Sequence, residues 1–120
     1  HMQTSFPQGK YLSVIKGEIF DVAVDLRKKS KTFGKYFSIK LSDRNGFSLY
    51  IPEGFAHGFV GLKKENIISY HCTNYRSKKH EIGIKWNDPD LNINWPKGKL
   101  TLSKKDKKNI SFKEYLNNYE

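Results

Sequence analysis

A single cysteine, Cys72, excludes an internal disulfide and suits a reducing compartment. No apolar run approaches the roughly 20 residues a membrane-spanning helix requires, and nothing leader-like opens the chain. A cytoplasmic protein with no membrane partner is therefore expected. Arginine is scarce, with only Arg27, Arg44 and Arg76. That weighs against nucleic acid, despite a net charge of +10, because arginine forks are the usual readers of bases and phosphates. Half of the excess charge lies in residues 97–108, where six lysines and one aspartate supply +5. Such a run reads as a solvated surface. There is no His-x-His pair, and His57, His71 and His80 lack neighbouring carboxylates at metal-ligand spacing. No metal is expected. A glycine-rich phosphate loop, a GxSxG elbow and internal repeats are also missing.

What is present is a series of short alternating segments. Residues 11–15, 18–26, 36–41, 47–51, 55–62, 67–73 and 81–86 read as strands, separated by turn residues such as Lys16-Gly17 and Asp43-Arg-Asn-Gly46. Seven strands without a long helical period predict an all-β antiparallel sandwich or barrel in one domain, residues 1–120. In the second strand Phe20, Val22, Val24 and Leu26 share the expected core face, and Asp21 and Asp25 are expected in solvent. Ser111 with Glu114 three residues later forms a capping-box pattern for a short helix to Tyr119, inside a basic tail of residues 97–120. His1-Met2 matches the remnant of a cleaved purification tag.

The chain centres on Ser48-Leu-Tyr-Ile-Pro-Glu-Gly-Phe-Ala-His-Gly-Phe-Val60, read as strand, tight turn and strand. Pro52 cannot donate to a ladder, and Gly54 is free to take a positive φ. His57 stands between Ala56 and Gly58, small neighbours that admit a ligand close to an imidazole. A buried histidine satisfied by a carbonyl fits the same pattern. Cys72 reads as a core thiol. The remaining polar set is metal-free acid–base chemistry: His57, Tyr70, Lys10 and an acidic residue. A phenol can protonate a carbanion, and an ammonium can stabilise an enolate oxygen. On spacing alone, Tyr70 is more often a half-buried strand residue and Lys10 a surface lysine.

Gln8-Gly-Lys10, residues 17–27 and Ile51-Pro-Glu-Gly-Phe-Ala-His-Gly-Phe59 closely resemble the dTDP-4-dehydrorhamnose 3,5-epimerase family. So do Thr73-Asn-Tyr75, Trp86-Asn-Asp-Pro-Asp90, Ile93-Asn-Trp-Pro96 and residues 102–106, all in the family's order. The resemblance implies a cupin-like jelly roll, a homodimer, and cofactor-free epimerisation at C3 and C5 of a nucleotide-linked 4-keto-6-deoxyhexose for polysaccharide biosynthesis. By the same resemblance Tyr70 is the acid, Lys10 lies near the C4 oxygen, His57 is the second histidine and Asp106 pairs with the base. Tyr75 stands near the nucleotide, and Lys85 takes the place of an arginine usual before the tryptophan. The family's base is the histidine of an Arg-Gly-Leu-His-x-Gln stretch. Here the chain opens at His1-Met-Gln3, either the end of that stretch or a tag remnant, and the remnant is favoured. Without a base, the chain would bind a nucleotide sugar without turnover, or serve as a cupin-fold interaction protein.

Overall fold

The structure, a computed structural model, describes residues 1–119. Strands β1 (Met2–Gln3), β2 (Lys10–Lys16), β3 (Glu18–Asp25), β4 (Tyr36–Ser42), β5 (Ser48–Ile51), β6 (Phe55–Gly61), β7 (Ile67–Cys72) and β8 (Glu81–Ile82) precede one helix, α1 (Phe112–Asn118). Two three-stranded antiparallel sheets, ordered β5-β2-β7 and β4-β3-β6, face each other, and β1 pairs with β8. This is the expected all-β sandwich of the cupin-like jelly-roll kind, with a short C-terminal helix.

Leu12 and Ile51 from one sheet meet Ile19, Ala23 and Leu41 from the other in a buried cluster. On the far side of β3, Val22, Val24 and Leu26 pack with Ala56, Leu91, Phe112 and Tyr115. Strand β3 is therefore covered on both faces, by a sheet and by the C-terminal segment. That corrects the expectation for its carboxylates: Asp21 and Asp25 are 0% and 1% exposed. Alternation separates the two faces of a strand, but it does not reveal whether the second face has a cover.

The central stretch is strand, turn and strand as read, but its two strands do not pair with each other. β5 pairs with β2, and β6 pairs with β3, so Pro52-Glu53-Gly54 carries the chain from one sheet to the other. Gly54 takes φ +88°, and a Cβ there would stand 2.5 Å from Arg27 Cγ. The expected last strand over residues 81–86 shrinks to Glu81–Ile82, followed by an isolated bridge between Ile84 and Ile110. β1 was not anticipated at all, since two residues carry no periodicity.

The capping box at Ser111 and Glu114 forms as the sequence pattern requires. A second acceptor serves the same helix start. Buried Asp88 takes the Phe112 amide on Oδ2 (2.8 Å) and the Asp90 and Leu91 amides on Oδ1 (2.9 and 3.2 Å). The loop after Trp86 is thereby tied to α1.

Asp25 anchors the basic loop after β3. It accepts from Arg27 Nε and Nη2 (both 2.9 Å) and from the Ser30 and Thr32 hydroxyls (both 2.6 Å). The Arg27 hydrogen bonds, aided by the hydroxyls and opposed by burial, hold its carboxyl well below the usual carboxylate range. A carboxylate whose native pKa is depressed stabilises the fold above its unfolded pKa, about 3.9, and loses that contribution as pH falls. Unfolding free energy should therefore decline below about pH 4, and Asp25→Asn should flatten that limb while costing about 1.5–3 kcal/mol at neutral pH. Chemical denaturation across pH 2–7 measures both, and an unchanged acid limb in the variant would refute the assignment.

Candidate active site

Between the open ends of the two sheets lies a cavity of about 840 Å³. Four of the expected residues line it from different elements. Lys10 on β2 and Tyr70 on β7 share the inner face of one sheet, with Cys72 opposite Lys10. His57 points inward from β6, and Asp106 comes from the turn over residues 106–108. Tyr75 also lines the cavity at its rim, 93% exposed. Tyr70 is 61% exposed, so its phenol stands open to the cavity instead of packing in the core. Cys72 is exposed as well, which corrects its reading as a core thiol: β7 is an edge strand, and nothing among the described residues covers this end of it.

Lys85 is not brought to the cavity. Ile84 and Trp86 line it, so alternation turns Lys85 outward, and it is exposed. Its charge lies near Glu114 at the start of α1.

His1 is part of the fold. Its backbone nitrogen donates to the His57 carbonyl (2.9 Å), and the His57 amide returns a bond to the His1 carbonyl (2.9 Å). Met2 and Gln3 continue as β1 against Ile82 and Glu81. The His1 ring lies in the cavity, with Nε2 2.5 Å from Asp106 Oδ1 and Nδ1 3.4 Å from Glu81 Oε1. Burial alone would raise the Asp106 pKa, but hydrogen bonds from His1 and Ser103 and the nearby positive charges bring it below the ordinary value.

Two carboxylates in this arrangement were not singled out from sequence. Asp21 is fully buried and lies 2.5 Å from His57 Nε2 through Oδ1. Asp21 and His57 are diagonal neighbours on the inner face of paired strands, since Asp21 opposes Phe59 and Ala23 opposes His57. The signal was present in the alternation of residues 18–26, but it was assigned to solvent. Glu81 gathers His1 Nδ1 (3.4 Å) and two cations, Arg76 (3.1 Å) and Lys105. The wall thus holds two histidine–carboxylate pairs and a rim of Arg76 and Lys105. Among the described residues no group of three or more His, Cys, Asp or Glu is placed to hold a metal ion.

Lys10 has no ion-pair partner among the described residues, and burial lowers its pKa, against the opposing pull of Cys72 and Asp21. An ammonium held with its charge incompletely compensated is costly to the fold and available to a ligand anion. Lys10→Met should therefore raise stability by about 0.5–2 kcal/mol, the usual size of such stability–function trades. Thermal and urea unfolding of the two proteins test this, and a less stable variant would contradict it.

With this geometry, comparison with known proteins is direct. A family model described as dTDP-4-dehydrorhamnose 3,5-epimerase matches residues 1–114. The dTDP-4-dehydrorhamnose 3,5-epimerase of Methanothermobacter thermautotrophicus is 50% identical over 110 residues, covering 89% of this chain and 60% of that protein. The crystal structure of the enzyme of that name from Elizabethkingia anophelis superposes with a TM-score of 0.91 at 42% identity, covering 94% of this chain and 63% of the other. A dTDP-6-deoxy-D-glucose-3,5-epimerase from Legionella pneumophila, solved with dTDP-4-keto-L-rhamnose, gives 0.91 and 42%, covering 99% and 62%. The chain thus spans about three-fifths of the length of these relatives. Its fold, the family match over residues 1–114 and this level of identity place it in the dTDP-4-dehydrorhamnose 3,5-epimerase family.

Proposed function

We propose that this chain epimerises a nucleotide-linked 4-keto-6-deoxyhexose at C3, C5 or both, by removing and returning a proton beside the C4 ketone. The observation that carries the reading is the His1–Asp106 pair standing in one cavity with Tyr70 and Lys10. The His1 ring stands between two carboxylates, with Nε2 against Asp106 and Nδ1 3.4 Å from Glu81. His1 is the base in this scheme. Asp106 orients the ring and stabilises the imidazolium formed when the carbon proton is taken. The enolate charge collects on the C4 oxygen, where the Lys10 ammonium opposes it. Tyr70 returns a proton from the other side of the sugar ring, and His57, braced by Asp21, assists at the carbonyl.

The substrate class is supported by the named relatives, one of them solved with dTDP-4-keto-L-rhamnose. Arg76 and Lys105 line the rim beside Glu81, cations of the kind a diphosphate would engage. Tyr75 at the mouth offers a flat face for a nucleotide base. No helix among the described residues is long and apolar enough to cross a membrane. The exposed free thiol of Cys72 fits the cytoplasm.

The chemistry predicts deuterium uptake at C3 or C5 when the protein meets dTDP-4-keto-6-deoxyglucose in D2O, followed by NMR. Tyr70→Phe should slow that uptake about 100-fold or more, the usual share of a general acid. Ligand binding without uptake would leave a nucleotide-sugar binder in place of an enzyme.

We also propose a homodimer. The outer face of sheet β5-β2-β7 presents Tyr11, Ile15, Tyr50 and Ile67, each more than two-fifths exposed. Tyr11 faces Tyr50 across the paired strands, and Ile15 and Ile67 lie beyond a row of serines on the same face, apolar surface that a second copy would bury. Light scattering should return twice the 14.0 kDa chain mass, and a clean monomer would refute the proposal.

A further inference from the structure

Behind the His1 ring a side chain is missing. Gly83 follows β8, and its carbonyl accepts from the Ile110 amide (3.1 Å). Its backbone is not in the left-handed region, so conformation does not demand glycine there. Space does. A Cβ on residue 83 would lie 2.4 Å from Asn109 Oδ1, 2.7 Å from Asn109 Cγ and 2.6 Å from His1 Cε1. All three are closer than non-bonded atoms tolerate, so something would have to move.

The ring cannot retreat without disturbing its pair with Asp106. The His1 ring is held by Asp106 at Nε2 and faces Glu81 at Nδ1. Asn109 closes the turn that carries Asp106: its amide donates to the Asp106 carbonyl (3.4 Å), and its side-chain Nδ2 donates to the Ile84 carbonyl (3.4 Å). Pushing the ring away displaces the base. Moving the Asn109 side chain gives up its bond to Ile84 and still leaves the Cβ 2.6 Å from the ring.

We propose that Gly83 is a positioning residue: its bare Cα forms, with Asn109, the seat in which the His1 imidazole stands, and so sets the ring relative to Asp106. The role in turnover rests on the epimerase reading above, but the seat itself does not. Misplacement of a catalytic group by about 1 Å costs on the order of 100-fold in rate, while groups that only hold the nucleotide are untouched.

The test compares Gly83→Ala with the parent protein by two readouts. In the parent, the His1 Cε1 proton should show cross-relaxation to the Gly83 Cα protons, and Gly83→Ala should abolish or move that contact. Deuterium uptake into dTDP-4-keto-6-deoxyglucose should fall about 100-fold in kcat, with dTDP affinity within about twofold. Gly58→Ala is the control, since its Cβ would meet only Trp95 Cη2 at 3.7 Å, an ordinary contact. It should leave the His1 resonances in place. If Gly83→Ala does not fold, Gly83→Ala with Asn109→Ala removes two of the three close atoms and keeps the conflict with the ring. Unmoved His1 resonances or a parental rate in the folded variant overturn the proposal. If the parent protein shows no uptake, the epimerase reading fails, and the resonance arm alone decides whether Gly83 seats the ring.

Discussion

The burial of β3 on both faces is the constraint on which this structure depends. One face of the strand meets the β5-β2-β7 sheet, and the other meets the segment ending in α1. A carboxylate on such a strand has no water to turn to and must find donors. Asp25 finds Arg27, Ser30 and Thr32, and in doing so shapes the basic loop. Asp21 finds His57, and leaves its second oxygen without a partner. The same burial thus yields a structural anchor at one end of the strand and a braced histidine toward the cavity.

The cavity is assembled on a similar principle from the opposite side. His1 enters by backbone pairing with His57, so the two histidines are held by each other's main chains and by separate carboxylates. Among the described charged residues lining the cavity, Lys10 alone has no countercharge in contact, and its lowered pKa reflects burial first. An ammonium set among oriented histidines suits a site that stabilises negative charge arising during a reaction, where partners fixed in advance need no rearrangement.

Local patterns carried much of the fold. The alternation of residues 11–15, 18–26 and 67–73 located β2, β3 and β7 to within a residue or two, and Ser111 with Glu114 located α1. The failures share a cause. Pro52-Glu53-Gly54 has the composition of a hairpin turn, yet it joins strands of different sheets, because a turn's residues fix its bend and not the partner of the strand that follows. Lys85 flanks a tryptophan of the motif but faces away, and Cys72 is apolar enough for a core but sits on an edge strand. For the site, residue type and motif resemblance pointed to Lys10, His57, Tyr70 and Asp106, which the fold brings to one cavity. Glu81 and Gly83 carried no signal, since a lone glutamate and a lone glycine in a stretch read as a strand have many ordinary explanations.

The sequence by itself determined the class of the fold, the position of most strands, the helix cap and the family to which the motifs point. Each of these follows from residues within a few positions of one another, where backbone propensity and side-chain period act directly. Tertiary structure alone decided which strand faces were covered and that Asp21 braces His57 across 36 positions. It also decided that His1 reaches Asp106 across 105 positions, and that an empty Cα at residue 83 leaves room for the ring. Those depend on which surfaces meet when two sheets close on each other, and no local pattern of residues encodes that closure.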